Sequence, residues 1–294
     1  MFPHRRLPRI AVPALALVVA VTVPGLATGH APDAAPARAG TAPTGPGTAV
    51  REALDKLPHS DGRYTVAVRD LDGRHTAAYG TGSAAYDTAS IVKVDILASL
   101  LLKAQDHGTS LTAAQKKQAA QMIRRSDNAA TDALWKALGG TRGLDAANKR
   151  LGLKDTHGDP DGHWGLTRTT AADQATLLEA VLGDAHSPLT ASSRAHVRSL
   201  MSTVVPEQRW GISAADDRPG SAAAPVLKNG WLPRSATGKW DVNSIGRVER
   251  GGHTLLVVVL SDGQRTYREG VDLVERAATT AVKAFVTAEK AQQP

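Results

Sequence analysis

The sequence predicts an α+β fold: an antiparallel sheet flanked by the N- and C-terminal helices and joined to an all-helical subdomain, with a cleft between the two. Three observations carry it. Apolar and polar residues alternate near both ends of the 294-residue chain, the middle from 88 to 204 repeats at helical period, and residues 267–289 read as one long helix.

Taken in order, residues 1–30 read as a signal peptide. His4, Arg5, Arg6 and Arg9 precede an apolar run over 10–26, and Ala27, Thr28 and Gly29 supply small residues for cleavage. Pro13 and Pro24 break the run and leave it short of the roughly 20 apolar residues that span a bilayer, so no stable membrane anchor is expected. Residues 31–48 are Ala, Pro, Gly and Thr with almost no large apolar side chain, which predicts a disordered linker before a folded domain over 49–294. Val50, Leu54 and Leu57 share one face of a helix over 48–57. Strands follow at 64–69 and 76–79, joined across Asp72-Gly73, a dipeptide of tight hairpins. Helices are expected at 88–105, 112–124, 128–138, 141–150, 168–183 and 190–204, then strands at 226–229, 240–248 and 254–260.

Composition removes several function classes. There is no cysteine, so disulfides, thiolate metal sites, a cysteine nucleophile and a lipidated cysteine are out. Of the net charge of +7, Arg5, Arg6, Arg9 and Arg38 against Asp33 place +3 in residues 1–48. The remainder is dispersed, and with 4% aromatic residues the chain has no pattern for nucleic-acid binding. Dinucleotide, P-loop and G-x-S-x-G spacings are also missing.

The residues that carry chemistry lie in three places. Ser90 and Lys93 are three apart at the start of the first long central helix, which sets them on one face, where an amine could take a hydroxyl proton. Asp87 or Thr88 could cap that helix, and Ile91, Val92, Val94, Ile96 and Leu97 around Lys93 should depress its pKa. Such a pair alone arises by chance about 0.65 times in this composition, but Ser126-Asp127-Asn128 before the next helix has a chance expectation of about 0.015. Asp127 there is also an ordinary helix cap. The third place is Lys228-Asn229-Gly230, on a strand leading into Trp231.

In this order the three elements resemble the S-x-x-K, S-D-N and K-T-G motifs of serine β-lactamases and penicillin-binding proteins, most nearly the class A β-lactamases. The resemblance implies Ser90 as acylated nucleophile, Lys93 as its base and Ser126 as proton shuttle to the leaving nitrogen. It further implies Asn128 as ligand of the substrate's side-chain amide, and Lys228 as electrostatic partner of Ser126 and of the substrate carboxylate. The amides of Ser90 and Trp231 would form the oxyanion hole. Asn229 stands in place of a hydroxyl residue, so carboxylate recognition beside Gly230 would need its amide.

The sequence departs from that pattern elsewhere. Ser90 and Ser126 are only 36 residues apart, so part of the helical subdomain should be missing. No glutamate occurs between Glu52 and Glu179, whereas class A enzymes use one on an omega-shaped loop to activate the deacylating water. The corresponding loop, 153–167, offers Asp155, His157, Asp159, Asp161 and His163. Asp161 and His163 are the candidate water-activating bases, against a plain turn at 159–162. This string rich in His and Asp also suggests a metal, but a single loop with unhelical spacing is thin support, and no metal or cofactor is expected.

Three functions follow for a monomer exported to the cell exterior or wall. It opens β-lactams through acyl-Ser90, or it is a DD-peptidase-like or esterase-like hydrolase of cell-wall peptides or other acyl compounds. The third is a β-lactam or peptidoglycan-binding protein without turnover.

Overall fold

The computed structural model describes residues 45–58, 61–71, 74–81, 83–184, 186–218 and 225–292. The expected signal peptide, most of the linker and the Asp72-Gly73 turn lie outside them. Pro46–Leu54 forms α1, followed by strands Arg63–Asp70 (β1) and Thr76–Tyr79 (β2). Near the C-terminus come Val226–Arg234 (β5), Lys239–Arg250 (β6), His253–Asp262 (β7) and the closing helix Tyr267–Gln292 (α8). These strands make one antiparallel sheet in the order β2-β1-β7-β6-β5, so the two ends of the chain complete each other and β5 is left at the edge.

Alternation along β7 sorts the core. Leu255, Val257 and Val259 join Val50, Leu54, Val274, Val282 and Phe285 under α1 and α8, while Leu256, Val258 and Leu260 face the helical part. A central strand buried on both faces has to be apolar nearly throughout, as this one is. The helical part holds Val92–Asp106 (α2), Ala113–Arg124 (α3), Asn128–Leu138 (α4), Gly140–Leu151 (α5), Ala171–Leu182 (α6) and Ala191–Ser202 (α7). Its centre is α2, whose residues 92–102 are all buried. Thr112 and Gln115 form a reciprocal capping box on α3, and Thr170 and Thr190 cap α6 and α7.

The fold class is the expected one, with local differences. Helix α1 begins at Pro46, inside the expected linker, because proline is preorganised for a first helical turn. Strand β5 runs five residues past the expected 229 and includes Pro233, which an edge strand tolerates. Helix α2 starts at Val92 rather than 88, after a 3-10 turn over Ala89–Ile91. A second sheet pairs Tyr86–Asp87 (β3) with Arg168–Thr169 (β4), strands too short to show periodicity. Among the described residues no helix is long and apolar enough to cross a membrane.

Asp95 lies wholly buried inside α2. Ser99 Oγ donates to it at 3.3 Å, and with the Asn148 amide turned to satisfy both groups its nitrogen reaches both carboxylate oxygens at 2.9 and 3.1 Å. Burial is the main cause that pushes its pKa up to about 7, with Asp145 and Asp173 adding to it. An unfolded aspartate titrates near 3.9, so between about pH 4 and 7 the folded chain binds the extra proton and stability falls as pH rises. The slope from this group is at most about 1.4 kcal/mol per pH unit. Asp95→Asn should flatten that decline and raise the melting temperature at pH 8, as denaturation across a pH series would show. An unchanged pH profile would count against it.

Candidate active site

Ser90 occupies the 3-10 turn between β3 and α2, directly after Ala89, whose φ of +46° is left-handed. A non-glycine residue there costs on the order of 1–3 kcal/mol and persists only when its surroundings enforce it. They do so from three sides. Thr88 N–H donates to Thr167 O at 2.9 Å, and the buried Asn243 amide donates to Asp87 O and Thr88 O at 2.9 and 3.1 Å. The Asp87 carboxylate accepts from Arg168 at 2.9 Å and from Arg234. The expected capping is therefore absent: neither Asp87 nor Thr88 caps with its side chain, because two guanidinium groups outcompete backbone amides for the carboxylate.

The third side is β5. A Cβ built on Gly230 would lie 2.8 Å from Ser90 N, 2.8 Å from Thr88 O and 2.9 Å from Ile91 N. Only a residue without a side chain lets the strand press this close to the turn. The neighbouring amide direction follows from the sheet. Trp240 spends its N–H and C=O on Gln264, at 2.8 and 3.0 Å, so its pair with Pro233 is a non-hydrogen-bonded one and Pro233 turns its backbone polar atoms outward. Pairing is continuous from 226 to 234, so Trp231, two residues earlier, directs its N–H to the same free edge.

Ser126 precedes α4 with a left-handed φ of +57°, and Asp127 caps that helix by accepting from Ala130 N–H at 2.7 Å. The strained turn aims Ser126 Oγ at two lysines: Lys93 Nζ is 3.1 Å away and Lys228 Nζ 3.0 Å. Lys93 also donates to Ser126 O and Asn128 Oδ1, both at 2.8 Å, and Lys228 to Asn229 O at 2.8 Å. Both amines are buried. Burial lowers the Lys93 pKa to about 8, and burial together with the charge of Lys93 holds Lys228 well below its ordinary value. One hydroxyl between two such amines can donate to one while accepting from the other, which is the wiring of a proton relay.

Ser90, Ser126, Asn128 and Trp231 open into one cleft of about 600 Å³, with His163, Trp164 and Leu166 on one wall and Leu232 and Pro233 on the other. Asn128 has its amide oxygen on Lys93, so a ligand meets its NH2 group. The Trp231 ring rests on Trp210 and Tyr267, with centroids 6.0 and 5.9 Å apart.

Other expected residues are placed differently. Asn229 is fully buried and turned behind the strand: its NH2 donates to Gln208 O and Trp210 O at 2.8 and 3.0 Å, and its oxygen accepts from Ser244 at 2.6 Å. Its amide is therefore unavailable to a substrate carboxylate. Asp161 is exposed and outside the lining, and His163 stands at the rim with Nδ1 3.0 Å from Asp159 Oδ2. Ligand atoms of Asp159, Asp161 and His163 lie within 4.8 Å of one another.

The loop residue that meets Lys93 is Trp164, which no motif marks. Its ring centroid lies 4.8 Å from Lys93 Nζ, and its Nε1 donates to Asp132 at 2.8 Å. No periodicity marks it; its only signal was being the largest side chain in a loop of small and polar residues.

The family model that describes the β-lactamase enzyme family matches residues 107–285. The chain belongs to that family. Its fold is similar to a class A β-lactamase from Bacteroides cellulosilyticus, with a TM-score of 0.69 at 15% identity over 83% of this chain and 99% of that one. It is also similar to PBP-A, with a TM-score of 0.66 at 19% identity over 82% and 96%, and to a PBP-A variant solved as an acyl-enzyme complex with penicillin G, at 0.65 and 20% over 82% and 96%. A Mycobacterium tuberculosis protein named as a lipoprotein, LppW, is 28% identical over 192 residues, 63% of this chain. The match spans 59% of that relative's length.

The family cleft here depends on Gly230. Gly230→Ala should cost about 1–3 kcal/mol through overpacking, read as a lower melting temperature. Gly165→Ala, on the opposite wall with nothing within 4 Å of its Cβ, should stay within about 0.5 kcal/mol of the parent. Equal effects at the two positions would count against the close approach.

Proposed function

We propose that this β-lactamase-family protein is an exported serine hydrolase that opens β-lactam rings through an acyl-Ser90 intermediate and hydrolyses that intermediate slowly. The observation that carries the reading is the convergence of two buried, pKa-lowered amines on Ser126 Oγ in the cleft that contains Ser90. Ser90 Oγ attacks the ring carbonyl and its proton passes to neutral Lys93. The carbonyl oxygen gains charge at the amides of Ser90 and Trp231. The C–N bond then breaks, and Ser126 gives its proton to the leaving nitrogen and is reprotonated from Lys93. Lys228, held against Ser126, supplies the positive field for the substrate carboxylate without help from Asn229.

A second reading, a DD-peptidase-like or esterase-like hydrolase of cell-wall peptides, draws support from the likeness to PBP-A and from the absence of a glutamate in the loop 153–167. A non-hydrolysing binder is the limit of the same chemistry. Export is supported by the N-terminal pattern. The lipoprotein name of LppW does not carry over to an anchor, because this chain has no cysteine to acylate.

Intact-protein mass spectrometry after exposure to penicillin G tests the reading. An adduct on Ser90 is expected, lost in Ser90→Ala; an adduct that survives in that variant refutes the assignment. Persistence favours a binder, and release with ring-opened product favours a β-lactamase. Lys93→Ala should slow acylation by about 10²–10⁴, the range of general-base catalysis. Since Lys93 must be neutral to accept a proton, acylation should rise with pH to a midpoint near 8 and then level. A flat profile from pH 6 to 9 would point to another base.

A further inference from the structure

Given acyl-Ser90 chemistry at this site, we propose that Trp164 holds the enzyme at the acyl stage, by covering the face of Lys93 on which a hydrolytic water would have to sit. Hydrolysis needs a water oxygen to attack the ester carbonyl. A base takes one of the water's protons, the C–O bond to Ser90 breaks, and a proton returns to Ser90 Oγ as the acid leaves. The base must reach both the water and the ester.

Of the carboxylates and imidazoles of the loop 153–167, His163 alone lines the cleft, and its side chain is 67% exposed at the rim, with Nδ1 3.0 Å from Asp159 Oδ2. Lys93 is the buried amine that lies against this loop. As an ammonium it gives its three donors to Ser126 O, Ser126 Oγ and Asn128 Oδ1; neutral, it keeps two donors and one lone pair, and the indole of Trp164 occupies one side of it at 4.8 Å. Indole offers one donor and no acceptor, so it cannot accept a water's proton, and its one donor is already given to Asp132.

The ring is also fixed. Trp164 opens a 3-10 turn in which Thr167 N–H returns to Trp164 O at 3.2 Å, and Thr167 O in turn accepts from Thr88 N–H, two residues before Ser90. The indole is thus tied at its ring to α4 and through its backbone to the Ser90 turn. A ring face against an ammonium favours the charged amine, which further opposes its use as a base. The ring face therefore also raises the pH at which Lys93 serves acylation, while the cover itself bears on the water of the second half-reaction.

The test is a time course of the penicillin G adduct on Ser90, by mass spectrometry, in wild type and in Trp164→Glu, Trp164→Ala and Trp164→Phe. Adduct formation itself reports that each variant is folded. Trp164→Glu should shorten the adduct lifetime at least about tenfold, less than the roughly hundredfold of a well-placed base, with ring-opened product appearing. Trp164→Ala should shorten it by a smaller factor and move the acylation midpoint below that of wild type, whereas Trp164→Phe, which restores a ring face, should return both. Adducts in Trp164→Glu and Trp164→Ala as long-lived as in wild type would overturn the role of Trp164, as would a wild type that releases product without accumulating adduct; either leaves acyl-Ser90 standing. If Ser90 is labelled in none of the four proteins, the acyl-Ser90 reading fails and the role of Trp164 falls with it.

Discussion

Two lysine amines buried around one serine hydroxyl form the constraint on which the rest of this molecule depends. Charged amines are costly to bury, so the arrangement survives only if nearly every donor finds an acceptor and at most part of the charge is kept. The required acceptors come from separate places: Ser126 O and Oγ from a strained turn, Asn128 from the start of α4, and Asn229 O from β5. Lys93 itself comes from α2, at the centre of the helical part, and Lys228 from the edge of the sheet. The cleft is therefore the seam between the two halves of the fold, and it can be assembled only when both are folded.

Asp87 plays the matching part on the other side of Ser90. Its carboxylate joins Arg168, at the end of the loop that carries Trp164, to Arg234, at the end of β5. Its carbonyl, with that of Thr88, receives the Asn243 amide from the middle of the sheet. Loop, strand and turn consequently share one hub, and changes in any of them should be felt non-additively in the others.

Much of this was legible in the sequence because its signals are local. Helix period places α3 to α7 closely, and motif order points to Ser90, Lys93, Ser126 and Lys228 as one group. Strand alternation also accounts for Asn229: Lys228 reaches Ser126 and Gly230 faces the Ser90 turn, so the side chain between them points to the other face. What escaped was non-local. Asp87 looks like a helix cap until Arg168 and Arg234, some 80 and 150 residues later, are folded beside it. Trp164 sits in a loop without period, where sequence gives composition and not direction.

Pro233 gives the free edge of β5 a further property. An unpaired strand edge invites a second chain to add to the sheet, and most proteins blunt such edges. Here the edge carries the outward amide of Trp231. A proline two residues on removes the next outward donor in the row. A neighbouring strand laid along this edge would meet the amide of Trp231 but no donor at Pro233, so the run of donors that sheet extension requires is interrupted.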